Sequence, residues 1–241
     1  MRPPASAVFG ALAGVVLFFL VLDPRLLDPA YWIWLLDGDP ATQYLGWRFF
    51  RAEAWQWPPG ALRSYGLEVG SAIPYPDSLP LLAFPGKLLR DALPDPFQYF
   101  GPWMLACFAL QGFFGGLLAS LATERPAERY AITLLFVASV PILDRAIGHY
   151  ALMSHWIVLW GLWLALRPNR ELATAQWATL TCLASLVHAD LSGAFWGTDH
   201  EIIPCAPTPL RYQYLMRRRI GTTHQQYLDY YFHHHNNSYD Y

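Results

Sequence analysis

The chain has 241 residues, of which 54% are hydrophobic, 16% aromatic and only 14% charged, with a formal net charge of -2. Soluble domains carry roughly 25% charged residues, so the composition argues against a soluble domain, and the lack of a basic patch argues against a nucleic-acid partner. Lys87 is the sole lysine among the sixteen basic residues, and Cys107, Cys182 and Cys205 share no short spacing of the kind that disulfide or metal chemistry uses.

The apolar material is gathered into separated runs, as expected of membrane spans and not of one soluble core. The first run, residues 5–22, follows a single arginine and two prolines. It is too long for a signal peptide, no A-x-A site follows it, and it reads as a retained first span. Three further spans are expected at about 99–121, 130–143 and 150–166. A fifth, 172–187, carries Thr174, Gln176, Thr179, Thr181 and Ser185 but no charge. That pattern suits a helix packed on its neighbours through small polar side chains. With alternating spans, Arg2, Arg125, Arg129, Arg167 and Arg170 fall on one side, which the positive-inside rule makes the cytoplasm, with the N-terminus on that side.

The segment 23–98 is then a large outer loop. It holds Trp32, Trp34, Trp47, Trp55 and Trp57 with many prolines and glycines, a composition suited to the water–lipid boundary. Within it, Leu79 to Leu93 reads as an interfacial helix and not as a sixth span.

Four segments carry a resemblance: GDPATQYLGWRFFR at 38–51, YGLEVGSAIPYPDSLPLLAFPGKLL at 65–89, DPFQYFGPW at 95–103 and DRAIGHYALMSHWIVL at 144–159. Over about residues 8–190 the chain resembles an uncharacterised bacterial membrane-protein family. That family is similar in turn to the GT-C glycosyltransferases, which take sugars from polyprenyl-phosphate donors on the outer face of the membrane. The resemblance implies that the first-loop acid of the superfamily falls on Asp39 or Asp37, with Asp39 preferred as the catalytic base. It also implies that Asp144 stands where a second outer acidic motif would lie. Here that motif is Asp144-Arg145 and not a pair of acids, so no metal site and no cofactor are expected.

The residues themselves suggest chemistry as well. Sugar transfer from a lipid phosphate needs a base, a hold on the phosphate and exclusion of water. Asp37, Asp39 and Asp77 are loop carboxylates suited to the membrane surface, although Asp37-Gly38-Asp39-Pro40 also reads as a solvated turn. Arg145 and His149 are four apart, so on a helix they would share a face and clamp a phosphate. The alternative is a pair of interfacial side chains closing the third span. Arg145, His149, Asp77 and Asp144 are thus the candidate substrate-binding residues. His155, expected inside the fourth span, is either a packed polar contact or an intramembrane functional group.

After about residue 190 the character changes. Five of the eight histidines and half of the fourteen tyrosines lie beyond Gly197, along with Arg217-Arg218-Arg219 and His233-His234-His235. Residues 191–241 therefore read as an irregular tail, disordered or non-native, such as a frameshifted or truncated copy of a longer membrane protein would carry. The expectation for residues 1–190 is an all-α polytopic bundle of about five spans in the bacterial inner membrane, GT-C-like. Its partners would be membrane lipid and a polyprenyl-phosphate-linked sugar, and its activity inverting transfer. The rival expectation is a non-catalytic scaffold, or a component of a transport or envelope-assembly complex, docking through its Trp-rich loop.

Overall fold

The structure, a computed structural model, describes residues 3–66, 70–167 and 173–188. The tail expected at 191–241 lies outside the described residues.

The chain is mostly helical. Each of the five apolar runs folds as helix: α1 (Ala5–Val21), α4 (Phe100–Ala122), α5 (Pro126–Val137) with its continuation α6 (Val140–Arg145), α7 (His155–Leu166) and α8 (Ala173–Val187). Two of these segments, Phe100–Ala122 and Pro126–Arg145, are long and apolar enough to cross a membrane. The others are shorter. The 17 residues of α1 extend about 26 Å at 1.5 Å per residue, just under a hydrocarbon core of about 30 Å.

α1 and α4 pack antiparallel through backbone contact. Ser6, Gly10 and Gly14 recur every fourth residue on α1 and face Phe108, Gly112 and Gly116 of α4. A methyl group added at Gly10 would stand 2.0 Å from the Gly112 carbonyl oxygen, and one at Gly112 would stand 1.9 Å from that of Gly10. Only glycine permits this approach, the mode of association helices use in lipid. The Ser6 hydroxyl donates to the Gly116 carbonyl at 2.9 Å, satisfying a polar side chain inside the crossing. On the other side of α4, Gly115 receives the Phe136 ring of α5, and Phe114 stacks on Trp156 and Trp160 of α7. The outward stripe of α1, Leu12, Val16 and Leu20, is exposed. With Phe9, Leu17, Leu134 and Val137 it lines an apolar groove of about 460 Å³ between α1 and α5.

The α5 segment breaks at Ala138 and Ser139 before the Pro141-bearing α6, which ends at Arg145. This order brings Ala146–Ser154 to the same end of the bundle as residues 23–98, with Arg125, Arg129 and Arg167 at the opposite end.

The described residues between 23 and 98 form a folded cap. It contains α2 (Asp39–Ala52), α3 (Pro80–Leu88) and a short antiparallel ribbon pairing β1 (Ala61–Leu62) with β2 (Ser71–Ala72). The interfacial helix expected from Leu79 to Leu93 is shorter than that, ending at Leu88 and leaving Leu88 and Leu89 exposed. Trp47 of α2 is fully buried and donates its ring N–H to the Phe97 carbonyl at 2.9 Å. Arg51 bonds the carbonyls of Arg90, Leu93 and Pro94. Gln98 accepts from the Gly101 amide and donates to the carbonyls of Leu26 and Asp28, fastening the start of α4 to the segment that follows α1. The sole lysine is buried: its Nζ lies 4.0 Å from the Phe50 ring centre and 4.9 Å from that of Trp55. Burial there lowers its basicity.

Candidate functional site

At the capped end of the bundle, residues from two distant segments enclose a cleft of about 360 Å³. One wall is Asp37, Gly38, Asp39 and Pro40; the other is Asp144, Arg145, Ile147, Gly148 and His149.

The first wall is made by the start of α2. Gly38 occupies the N-cap position with φ +61° and ψ -145°, a conformation essentially restricted to glycine. Asp39 opens the helix and Pro40 follows it, where the missing proline N–H leaves no intrahelical bond unmade. The solvated turn read at Asp37-Gly38-Asp39-Pro40 is therefore half correct: the chain turns at Gly38, but Asp39 is already helical. A carboxylate in the first helical turn complements the unpaired amides there.

The second wall is made where α6 stops. Arg145 is the last helical residue, and the amides of Gly148 and His149 both return to its carbonyl, at 3.3 and 3.0 Å. Arg145 and His149 thus do not share a face of a continuous helix, as their spacing suggested. The turn between them nevertheless turns both into the same cleft.

The two walls meet where His149 Nε2 lies 3.4 Å from Asp39 Oδ2, with the side chains 42% and 52% exposed. Solvent therefore reaches both partners. The Arg145 guanidinium has no hydrogen bond or ion pair among the described residues. Asp77 does not line the cleft. It adopts φ +54° and pairs with His188 Nε2 at 2.9 Å, at the end of α8, so its placement is against that helix and not with the other candidates. His155 is the first residue of α7, and its Nδ1 is buried without a hydrogen-bond partner among the described residues.

The family model described as a domain of unknown function, DUF6311, matches residues 11–196. The chain belongs to the DUF6311 family. Neither a curated protein nor a solved structure matches it. The DUF6311 match ends close to the change of composition after residue 190, and it contains both walls of the cleft. Membership agrees with the expected uncharacterised family, and the match carries no link to the GT-C glycosyltransferases.

One residue that braces the DUF6311 cleft from behind escaped the sequence reading. Gln43, one turn beyond Asp39 on α2, is buried and donates its Nε2 to the Gly148 carbonyl at 2.6 Å. The signal was present, since Asp39 and Gln43 at i and i+4 share a helical face, but it shows only once residue 39 is known to begin a helix. Among the described residues no three His, Cys, Asp or Glu side chains are grouped so as to hold a metal ion. The lining is acidic, with Asp37, Asp39 and Asp144 set against Arg145 and His149. Such a surface suits the hydroxyls of a sugar over most of its extent, and suits an anion only beside Arg145 and His149.

Proposed function

We propose that this chain is a multi-pass protein of the bacterial inner membrane, its arginine-bearing end cytoplasmic, that transfers a sugar from a polyprenyl-phosphate donor on the outer face with inversion. The observation that supports this reading is the convergence of Asp37, Asp39, Asp144, Arg145 and His149 on one cleft at the capped end of the apolar bundle. The exposed apolar stripes of α1 and α5 favour lipid surroundings, since contiguous apolar surface of that kind is unusual facing water.

In the proposed reaction an acceptor hydroxyl attacks the anomeric carbon of the sugar. Asp39 takes the hydroxyl proton and His149, 3.4 Å away, passes it toward solvent. The bond from the anomeric carbon to the phosphate oxygen breaks, and polyprenyl phosphate leaves with the electron pair, its charge met by Arg145. A single displacement of this kind inverts the anomeric centre. The acidic wall holds sugar hydroxyls, and the bilayer edge supplies the seat for the isoprenoid chain.

The test uses the full chain in nanodiscs, offered polyprenyl-phosphate-linked hexoses with a short glycan acceptor. Formation of inverted product with release of polyprenyl phosphate is expected. No release from any donor, together with no binding of polyprenyl phosphate itself, would remove the enzyme reading and leave the docking scaffold.

A further inference from the structure

Asp39 and His149 are 110 positions apart, on a helix start and in a turn, and nothing in their contact itself fixes their separation. What fixes it lies on either side of His149. The Gly148 carbonyl accepts from Gln43 Nε2 at 2.6 Å, and the Tyr150 carbonyl accepts from Trp103 Nε1 at 2.8 Å. The donors come from different elements, α2 and α4, and both residues are buried, Gln43 at 2% and Trp103 at 6% exposure. The residues on either side of His149 are therefore held by their carbonyls while its side chain stays open to the cleft. Gln43 also sits one turn from Asp39, so the donor that fixes the second wall moves with the first. Packing adds to this: a methyl group at Gly148 would stand 3.5 Å from Pro40 Cδ, so the two walls are already near van der Waals contact.

We infer that Gln43 and Trp103 are positioning residues that hold the His149 imidazole in register with the Asp39 carboxylate. They touch no substrate. Their role is to remove the freedom of the 148–150 turn, and a misplacement of about 1 Å at such a site costs on the order of 10²-fold in rate. The inference rests on the proposed transfer for its kinetic consequence, but its geometric content is readable without any transfer.

The experiment therefore has two parts. In the full chain labelled with ¹⁵N-histidine, the His149 imidazole signals are assigned through His149→Gln, and the shift produced by Asp39→Asn is recorded. That shift is expected in the parent and lost in Gln43→Leu and in Trp103→Phe, which keeps an aromatic ring, a smaller one, and deletes the N–H. In the transfer assay, Gln43→Leu should lower kcat about 10²-fold with KM for the lipid-linked donor within twofold, and should add nothing in the His149→Gln background. A role confined to stability would instead lower the yield of folded protein and leave the imidazole response and kcat of the folded fraction intact. Folded Gln43→Leu and Trp103→Phe proteins that retain the full response to Asp39→Asn would overturn the inference. If the parent transfers no sugar, the proposed function fails while the imidazole measurement still decides the positioning. Should Gln43→Leu not fold, Trp103→Phe carries the same decision alone.

Discussion

The α1–α4 crossing is the contact most sensitive to a single atom. Gly10→Ala adds one methyl group, placed 2.0 Å from the Gly112 carbonyl oxygen and 2.7 Å from a Thr133 methyl, where ordinary contact begins at 3.4 Å. The obstacle is backbone, so no side chain can rotate away. The helices must part locally by about 1.4 Å, loosening the Ser6–Gly116 hydrogen bond and the Phe18–Phe108 edge contact. Overpacking costs about 1–3 kcal/mol, and the gain in helix propensity from glycine to alanine offsets up to about 1 kcal/mol. A net loss of about 1–2 kcal/mol is expected, measured by reversible SDS unfolding in mixed micelles. Gly112→Ala meets the same gap from the other side, so the double variant should lose little more than either single one, because helices already parted accept the second methyl group. Gly148→Ala is the control, its added methyl group being at ordinary contact distance. Full additivity of Gly10→Ala and Gly112→Ala, or no loss in either, would show that the helices do not cross at these residues.

The remaining predictions concern the site and the cap. Asp39→Asn should cut transfer by about 10²- to 10⁴-fold, the range of general-base catalysis, while Asp37→Asn does not; equal losses in a donor-transfer assay would withdraw Asp39 as base. Arg145→Ala should weaken polyprenyl phosphate binding by about 1.5–3 kcal/mol, and Arg145→Lys should restore part of it because the planar fork is lost; calorimetry showing unchanged affinity in both would return Arg145 to an interfacial anchor. Although burial works to raise it, the Glu53 carboxyl is held below its usual value of 4.5 by bonds from the Ser64 hydroxyl and amide and the Arg63 amide. Its contribution to stability is therefore complete above that pH and is lost as the pH falls through the lowered value; Glu53→Gln should flatten the acid side of the unfolding curve, and an unaltered curve would refute it. A cysteine at Pro126 should resist a membrane-impermeant periplasmic thiol probe; modification there would reverse the proposed orientation.

The helical runs were legible because uniform apolarity over such lengths leaves few alternatives to helix. What stayed hidden was mostly a matter of boundaries and partners. Pro40 at a helix start and Gly38 before it read equally as turn and as helix onset, so α2 was missed although its motif had been singled out, and with it the i, i+4 relation of Asp39 and Gln43. The spacing of Arg145 and His149 suggested one helical face; Pro141 and the break at Ala138–Ser139 shorten α6 so that the pair meets across a turn instead. Asp77 carried no mark in the sequence of its pairing with His188, a contact spanning more than a hundred positions. The convergence of Asp39 and His149 was foreseen only as membership of one compartment, since no local pattern encodes a 3.4 Å approach between remote segments.

The location of the cleft at helix ends and the turns beside them would ordinarily make for loose geometry. Here each turn is tied to a rigid helix. The glycine crossing with α1 fixes the lateral position of α4, and α4 in turn carries Trp103, whose N–H holds the Tyr150 carbonyl. On the other wall, α2 is anchored by Trp47 at Phe97 and by the Gln43 carbonyl, which accepts from the buried Ser78 hydroxyl at 2.6 Å. Gln43 thus takes part in two bonds with opposite ends of its residue, its carbonyl held by the cap and its amide holding the far wall. A displacement of α4 against α1 reaches the His149 wall through Trp103 and so alters the Asp39–His149 separation. For that reason Gly10→Ala should perturb the His149 imidazole response to Asp39→Asn even in protein that remains folded, joining the packing of the bundle to the chemistry proposed at its end.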